Sequence, residues 1–180
     1  MTPEVASLID EASRLESLAM AIYTRLASCF REDGELHRFW MSMARHEAGH
    51  VGALALIRTL LEESADDLHF EVDDRVTREA AVLIQALHRE AGGVVPLDRA
   101  FAISLELETL ELEDLVLDLT CALSDPAVRL QAEQMLLHDL SDLSLMIEKR
   151  CTDDELLARA DALVDSRVGT DNRRGYVRRA

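Results

Sequence analysis

His46-Glu47-Ala48-Gly49-His50 sits in the second apolar-periodic stretch of the chain, and its reading decides the fold. As H-E-x-x-H on a helix, the two imidazoles would hold Zn²⁺ and Glu47 would activate a water. As E-x-x-H, Glu47 and His50 at i and i+3 would point into a four-helix bundle as half of a carboxylate-bridged two-metal site, with His46 left out. The first reading needs a third zinc ligand downstream and a strand to hold a peptide by β-addition. The second needs acids at matching places on other helices. A pattern with three fixed positions also arises by chance in a helix that contains His and Glu.

Outward from that stretch, helical spacing predicts a helix from about Glu35 to Glu63, with Leu36, Phe39, Met43, Glu47, His50, Leu54 and Leu61 on one face. Asp33-Gly34 breaks the preceding helix, and Asp33 can cap this one. The first helix starts at Thr2-Pro3 and runs through Leu8, Ala12, Leu15, Ala19, Ile22, Leu26 and Phe30, with Glu16 and Tyr23 at the edge of the stripe. Residues 64–96 form a crossover: a loop from Ser64 to Asp74, then a shorter helix from Val76 to Glu90 stopped by Ala91-Gly92-Gly93. A third long helix is predicted from about Leu97 to Leu123 and a fourth from Pro126 to Arg150, with Asp139, Asp142 and Met146 on the fourth stripe. Thr152-x-x-Glu155 reads as a capping box that opens a short fifth helix ending near Val164. No segment alternates as a strand over a useful length. The expected fold is therefore all-α over residues 1–164: a ferritin-like four-helix bundle with a long helical crossover between helices two and three. Residues 165–180, with Arg167, Arg173, Arg174, Arg178 and Arg179, are expected to be a disordered tail.

Composition narrows the function classes. The 180 residues carry 48% hydrophobic and 30% charged side chains with only 7 Gly and 3 Pro, which suits one helical globular domain. The net charge of −16 argues against nucleic-acid binding by the folded body. Cys29, Cys121 and Cys151 are dispersed with no CxxC, so neither a disulfide framework nor a zinc knuckle is expected. The N-terminal stretch lacks a basic region followed by an apolar run, and no run is long enough to span a membrane. A cytoplasmic location is expected.

The two halves of the chain are related by a shift of 92 residues. Leu15-Glu16-Ser17-Leu18 falls on Leu107-Glu108-Thr109-Leu110, and His46-Glu47 on His138-Asp139; His50 falls on Asp142. Glu16 to Glu47 and Glu108 to Asp139 are both 31 residues. Unpaired carboxylates on a core face cost several kcal/mol or take up protons. Acids turned toward one axis from several helices repel one another unless a cation lies between them, and carboxylate with imidazole suits iron, manganese or zinc. Taken singly, any of these acids could lie at a stripe edge and reach solvent.

On Glu16 with Tyr23 seven residues on, Met43-Ala44-x-x-Glu47-x-x-His50, and Glu108-x-x-Glu111, the chain resembles the rubrerythrin branch of the ferritin-like family over residues 5–150. The resemblance implies two metal ions per chain, iron by default and Mn or Zn as alternatives. It implies Glu16 and His50 on one ion, Glu108 on the other and Glu47 bridging. Glu111 matches a ligand that joins the site as oxidation state changes, and Tyr23 a tyrosine close to the metals; both are candidate catalytic residues. Where the family has a second E-x-x-H, this chain has Asp139-Leu140-Ser141-Asp142. Asp139 would be a shorter bridge and Asp142 an oxygen ligand in place of nitrogen.

The function implied is a peroxide- or O₂-linked di-iron oxidoreductase. With no rubredoxin-type CxxC pair in the chain, an external electron donor would be needed. Ferritin-like bundles often pair, so a homodimer is expected. Three alternatives stand beside it: an iron-binding or ferroxidase module with the same ligands, a metal-free bundle acting through interactions, which the Asp139 and Asp142 replacements and the Arg-rich tail motivate, and a zinc peptidase using His46, Glu47 and His50. The last lacks both the third ligand and the strand that its chemistry requires.

Overall fold

Thr2 has extended backbone, and its hydroxyl accepts the Val5 N–H at 3.4 Å. With Pro3 at the first helical position it starts α1, Pro3–Cys29. The computed structural model describes residues 2–63, 70–72, 75–110, 115, 119–120, 126–127, 129–130, 141–168 and 177–179. A short turn after α1 ends at Asp33, whose Oδ1 accepts the N–H groups of Glu35 and Leu36 at 3.1 and 3.2 Å. This is the cap expected from the sequence, and α2, Gly34–Glu63, follows it. Cross-helix pairs fix the direction of packing. His37 meets the Ala27 carbonyl, His50 meets Glu16, and Arg58 pairs with Asp10. Partner numbers fall on α1 as they rise on α2, so the two helices run antiparallel.

The remaining described helices are α3 (Arg75–Glu90), α4 (Leu97–Glu108), α5 (Ser141–Arg150) and α6 (Asp154–Val168). α3 packs on α1, burying Ala80, Ile84 and Leu87. The Arg25 guanidinium of α1 donates to the His88 carbonyl at 2.6 Å, serving a terminal carbonyl of α3 that lacks a partner within its own helix. Arg25→Met is expected to cost about 1 kcal/mol of stability, the usual worth of one such hydrogen bond, and denaturant melts would read it. α4 places Phe101 against Phe39 and Trp40 of α2, with ring centroids 6.4 and 5.4 Å apart. α5 is held to the start of α2 by Lys149 on Glu35 and Arg150 on Asp33.

The all-α class holds, and several expectations are corrected in detail. The third long helix is interrupted: α4 ends at Glu108, with Thr109 and Leu110 in a turn. The Thr109 hydroxyl donates to the Leu105 carbonyl, the local bond by which a β-branched hydroxyl residue competes with helix propagation. The cap of α6 is Asp153, whose Oδ1 accepts Glu155 and Leu156 N–H at 2.9 and 3.4 Å, in place of a Thr152 capping box. α6 extends to Val168, past the expected end at Val164. Beyond α6 only residues 177–179 of the expected tail are described. Phe70–Val72 (β1) and Val177–Arg179 (β2) form an antiparallel ribbon with Phe70 opposite Arg179, Glu71 opposite Arg178 and Val72 opposite Val177. Three-residue strands carry too little alternation to be read from sequence. Among the described residues no helix is long and apolar enough to cross a membrane.

Candidate metal centre

Polar side chains interrupt the facing stripes of α1 and α2 at one level. Glu16, Glu47 and His50 are each more than nine-tenths buried, at 3%, 6% and 4% exposure. Within about a turn along the same two helices, Leu15, Ala19, Met43 and Leu54 are buried as well. Glu47 and His50 share a face of α2 because three residues make nearly one helical turn. The antiparallel packing brings Glu16 of α1 to the same level. His50 Nδ1 stands 3.4 Å from Glu16 Oε2 and 3.2 Å from Glu47 Oε2. One ligand atom from each of the three residues falls within 4.8 Å of the others.

The neighbours show what burial costs. Burial pushes the Glu47 carboxyl well above the usual carboxylate range; its hydrogen bond with His50 opposes this, while the charges of Glu16 and Glu108 add to it. Burial by itself would lower the His50 imidazole, but hydrogen bonds and charges from Glu16 and Glu47 outweigh it and carry its pKa to about 11. Without a cation the cluster therefore holds protons where it would otherwise hold net negative charge.

Glu108 approaches from α4. It is 7% exposed, and its Oε1 accepts a hydrogen bond from Tyr23 Oη at 2.6 Å. Tyr23 is fully buried. Burial raises its pKa well above the ordinary phenol value; the charges of Glu108 and Glu47 and the bond to Glu108 add to this, and a hydrogen bond with Ser104 opposes it. The phenol therefore stays protonated and remains a donor. Behind it the Tyr23 ring stacks on Trp40, centroids 6.2 Å apart and planes 14° from parallel.

The donor set fits a first-row divalent cation. It offers two hard carboxylates and one imidazole. Ligand atoms about 2.0–2.2 Å from one ion stand roughly 3–3.5 Å from each other, and the two measured separations from His50 lie in that range.

Of the residues expected at the site, the structure brings Glu16, Glu47 and His50 together and sets Glu108 and Tyr23 beside them. Glu111 and Asp139 lie outside the described residues. Asp142 is exposed in the first turn of α5 and is not part of the group. The buried face of α5 is carried by Leu143 and Ile147, so Asp142 stands about 100° round the helix from Leu143. It lies where an acid is favoured by the helix dipole and by water. His46 is half-buried and also outside the group, so the geometry does not assemble the two-imidazole arrangement of H-E-x-x-H. Ser104 is a residue that the stripe pattern passes over. It is fully buried, donates to the Ala100 carbonyl at 3.1 Å, and lies one turn before Glu108 on α4. A small hydroxyl four residues ahead of an acid on an apolar face was the available signal.

The chain matches no protein-family model, no curated protein and no solved structure; what the centre can do rests on its own geometry.

Proposed function

We propose that this chain is a rubrerythrin-like carboxylate-metal protein of ferritin-like build that binds iron at Glu16, Glu47 and His50 and reacts with hydrogen peroxide or O₂. The observation that carries the proposal is the grouping of three buried side chains able to ligate a metal, two of them acidic, with one such atom from each within 4.8 Å of the others, between α1 and α2. Such a cluster is expensive without a cation and matches an N/O-preferring metal with one. Iron bound there would supply a Lewis-acid centre and a one-electron couple.

The chain's own residues supply the rest. Glu16, Glu47 and His50 are themselves nearly shut off from water, which strengthens every charge interaction among them. Tyr23 holds a proton beside the site and directs it at Glu108. With no CxxC pair in the sequence, reducing equivalents would come from an external donor.

Protein loaded anaerobically with Fe²⁺ and mixed with peroxide tests the proposal. Oxidation of the bound iron, followed by near-ultraviolet absorbance, is expected to be at least ~10-fold faster than that of Fe²⁺ in the same buffer. His50→Ala is expected to return the rate to the buffer value. Equal rates with and without the protein would reject the oxidoreductase reading, and iron accumulating far beyond the number of sites would favour iron storage.

A further inference from the structure

Tyr23 of α1 and Trp40 of α2 lie face to face, and neither ring is exposed. Tyrosine and tryptophan are the aromatic side chains that give up an electron most readily. These two differ in what can happen to the proton that must follow. The Tyr23 hydroxyl donates to Glu108 Oε1 at 2.6 Å. The Trp40 Nε1–H is buried and has no hydrogen-bond partner among the described residues. The charges of Glu108 and Glu47 both act on Tyr23, and that of Glu108 acts on Glu47, so the phenol shares the electrostatic surroundings of the candidate centre.

We infer that Tyr23 is a one-electron donor to that centre, oxidised to a neutral phenoxyl radical as its proton passes to Glu108, and that Trp40 packs the ring in place without carrying the radical. This rests on the metal site and the peroxide chemistry proposed above. Hydrogen peroxide becomes two waters by taking up two electrons and two protons. Fe²⁺ supplies one electron on becoming Fe³⁺, and Tyr23 supplies the other when no further iron electron is at hand. The phenol O–H bond breaks, an O–H bond forms on Glu108 Oε1, and the two protons for peroxide come from solvent.

Burial decides where the radical rests. An aromatic ring that loses an electron becomes a strongly acidic cation, and a charge left in an apolar interior is costly. At Tyr23 the acceptor is already in place across a short, charge-assisted bond, so the ring ends neutral. Glu108 can take the proton on Oε1 whatever its other oxygen contacts, a metal included. Ser104 also hydrogen-bonds the Tyr23 hydroxyl and stays to hold the phenoxyl oxygen. At Trp40 the indole proton has no acceptor, so a radical there would remain a buried cation. Phe39 and Phe101 pack on Trp40 with centroids 4.6 and 5.4 Å away, and phenylalanine is far harder to oxidise than tyrosine. Among these four rings the radical settles on Tyr23.

The chain has two tyrosines, Tyr23 and Tyr176, and one tryptophan, so the radical can be assigned. Full-length protein is loaded anaerobically with one equivalent of Fe²⁺, mixed with excess peroxide, freeze-quenched and read by electron paramagnetic resonance, with signals counted per bound iron. A tyrosyl signal is expected. Ring-deuterated tyrosine should narrow it, Tyr23→Phe should abolish it, and Tyr176→Phe and Trp40→Phe should leave it. Glu108→Gln keeps the shape but cannot take the proton, and should slow the appearance of the signal about 100-fold, the usual effect of losing a positioned proton acceptor. Isotopic narrowing together with Tyr176→Phe assigns the radical with Tyr23 intact, so the assignment does not depend on how Tyr23→Phe folds. A tryptophanyl signal, a signal lost in Tyr176→Phe, iron oxidised with no organic radical, or a signal that forms at the wild-type rate in Glu108→Gln would each overturn the inference and leave the peroxide reaction standing. Iron oxidised no faster than in buffer would reject the proposed function itself, and the Tyr23 assignment with it.

Discussion

Replacing Glu47 with Gln is expected to weaken Mn²⁺ or Fe²⁺ binding by at least about 100-fold, while the metal-free protein stays as stable at pH 7 as wild type or becomes more so. Altering even the partners of metal ligands commonly costs 10–100-fold in affinity, and this change removes a ligand charge. The stability half of the expectation comes from burial. Glu47 is 6% exposed and is within reach of the charges of Glu16 and Glu108. Burial and those two acids push its carboxyl well above the usual range, against the opposing hydrogen bond with His50. Gln keeps the size, can still hydrogen-bond, and carries no charge to repel. His50 retains Glu16 at 3.4 Å as a partner. A structural ion pair behaves in the opposite way: deleting one member of a buried pair costs about 3–5 kcal/mol. Melting in the presence of chelator separates the two cases. A fall of ~10 °C in Glu47→Gln without metal would mean that the acid is there to pair with His50, and the cluster would be scaffolding. Unchanged or raised stability with lost metal binding would mark a side chain kept for a ligand at a cost to the fold.

The α1–α2 half of the site could be read from the chain because every signal there agrees. Thr2-Pro3 and Asp33 cap the helices as expected. The apolar stripes continue through several turns, and Glu16, Glu47 and His50 interrupt them on the facing sides. Burial of the apolar neighbours on a long, well-phased stripe carries these polar residues inward with it. The second half gave no such phase. The 31-residue spacing repeated between Glu16–Glu47 and Glu108–Asp139 was extended to Asp142 as though the later helix kept the stripe of the earlier one. On α5 the buried positions are Leu143 and Ile147, one residue later, and one residue is about 100° of rotation. That shift separates a core-facing position from a solvated acid. Thr109 shows a second limit. Its propensity penalty is small, a few tenths of a kcal/mol, so the pattern reads through it, yet its hydroxyl bond to Leu105 sits at the place where α4 ends. The β1–β2 ribbon shows a third. Phe70–Val72 and Val177–Arg179 define each other only by pairing across about a hundred residues, and neither has a local signature. Ser104 and the Tyr23–Glu108 bond are likewise contacts between helices, and spacing along one helix does not reveal them.

Metal-free protein is expected to lose stability as pH rises from 7 to 8.5, and metal-loaded protein is expected not to. His50 has a folded pKa of about 11, raised above its ordinary value of 6.5 because Glu16 and Glu47 outweigh the opposing effect of burial. A base raised on folding stabilises fully below its unfolded pKa, and the benefit is lost as pH climbs toward the folded value. Glu47, also raised on folding, acts with the same sign: the fold favours its protonated form, and that benefit shrinks as pH rises. In this window the unfolded chain has already released the His50 proton while the folded chain retains it. Each such proton is worth about 1.4 kcal/mol per pH unit. One proton over the window amounts to about 2 kcal/mol, or roughly 4–8 °C in a chain of this size. Among the described residues, the other shifted groups act mainly outside the window. Glu11, Asp33, Glu35 and Glu90 are lowered and act in acid. His88 is lowered, by burial and the charge of Arg25, and acts below neutrality. Tyr23 and Cys151 are raised and act in more alkaline solution. A bound cation reverses the dependence at the cluster, because carboxylates and imidazole must shed their protons to ligate it, so affinity grows with pH. The gap in melting temperature between Mn²⁺-loaded and chelated protein should therefore widen from pH 7 to 8.5, and His50→Gln should remove most of the widening. A gap that stays constant or narrows in wild type would mean that the cluster does not hold its extra proton in the metal-free state, and that a cation does not displace one on binding.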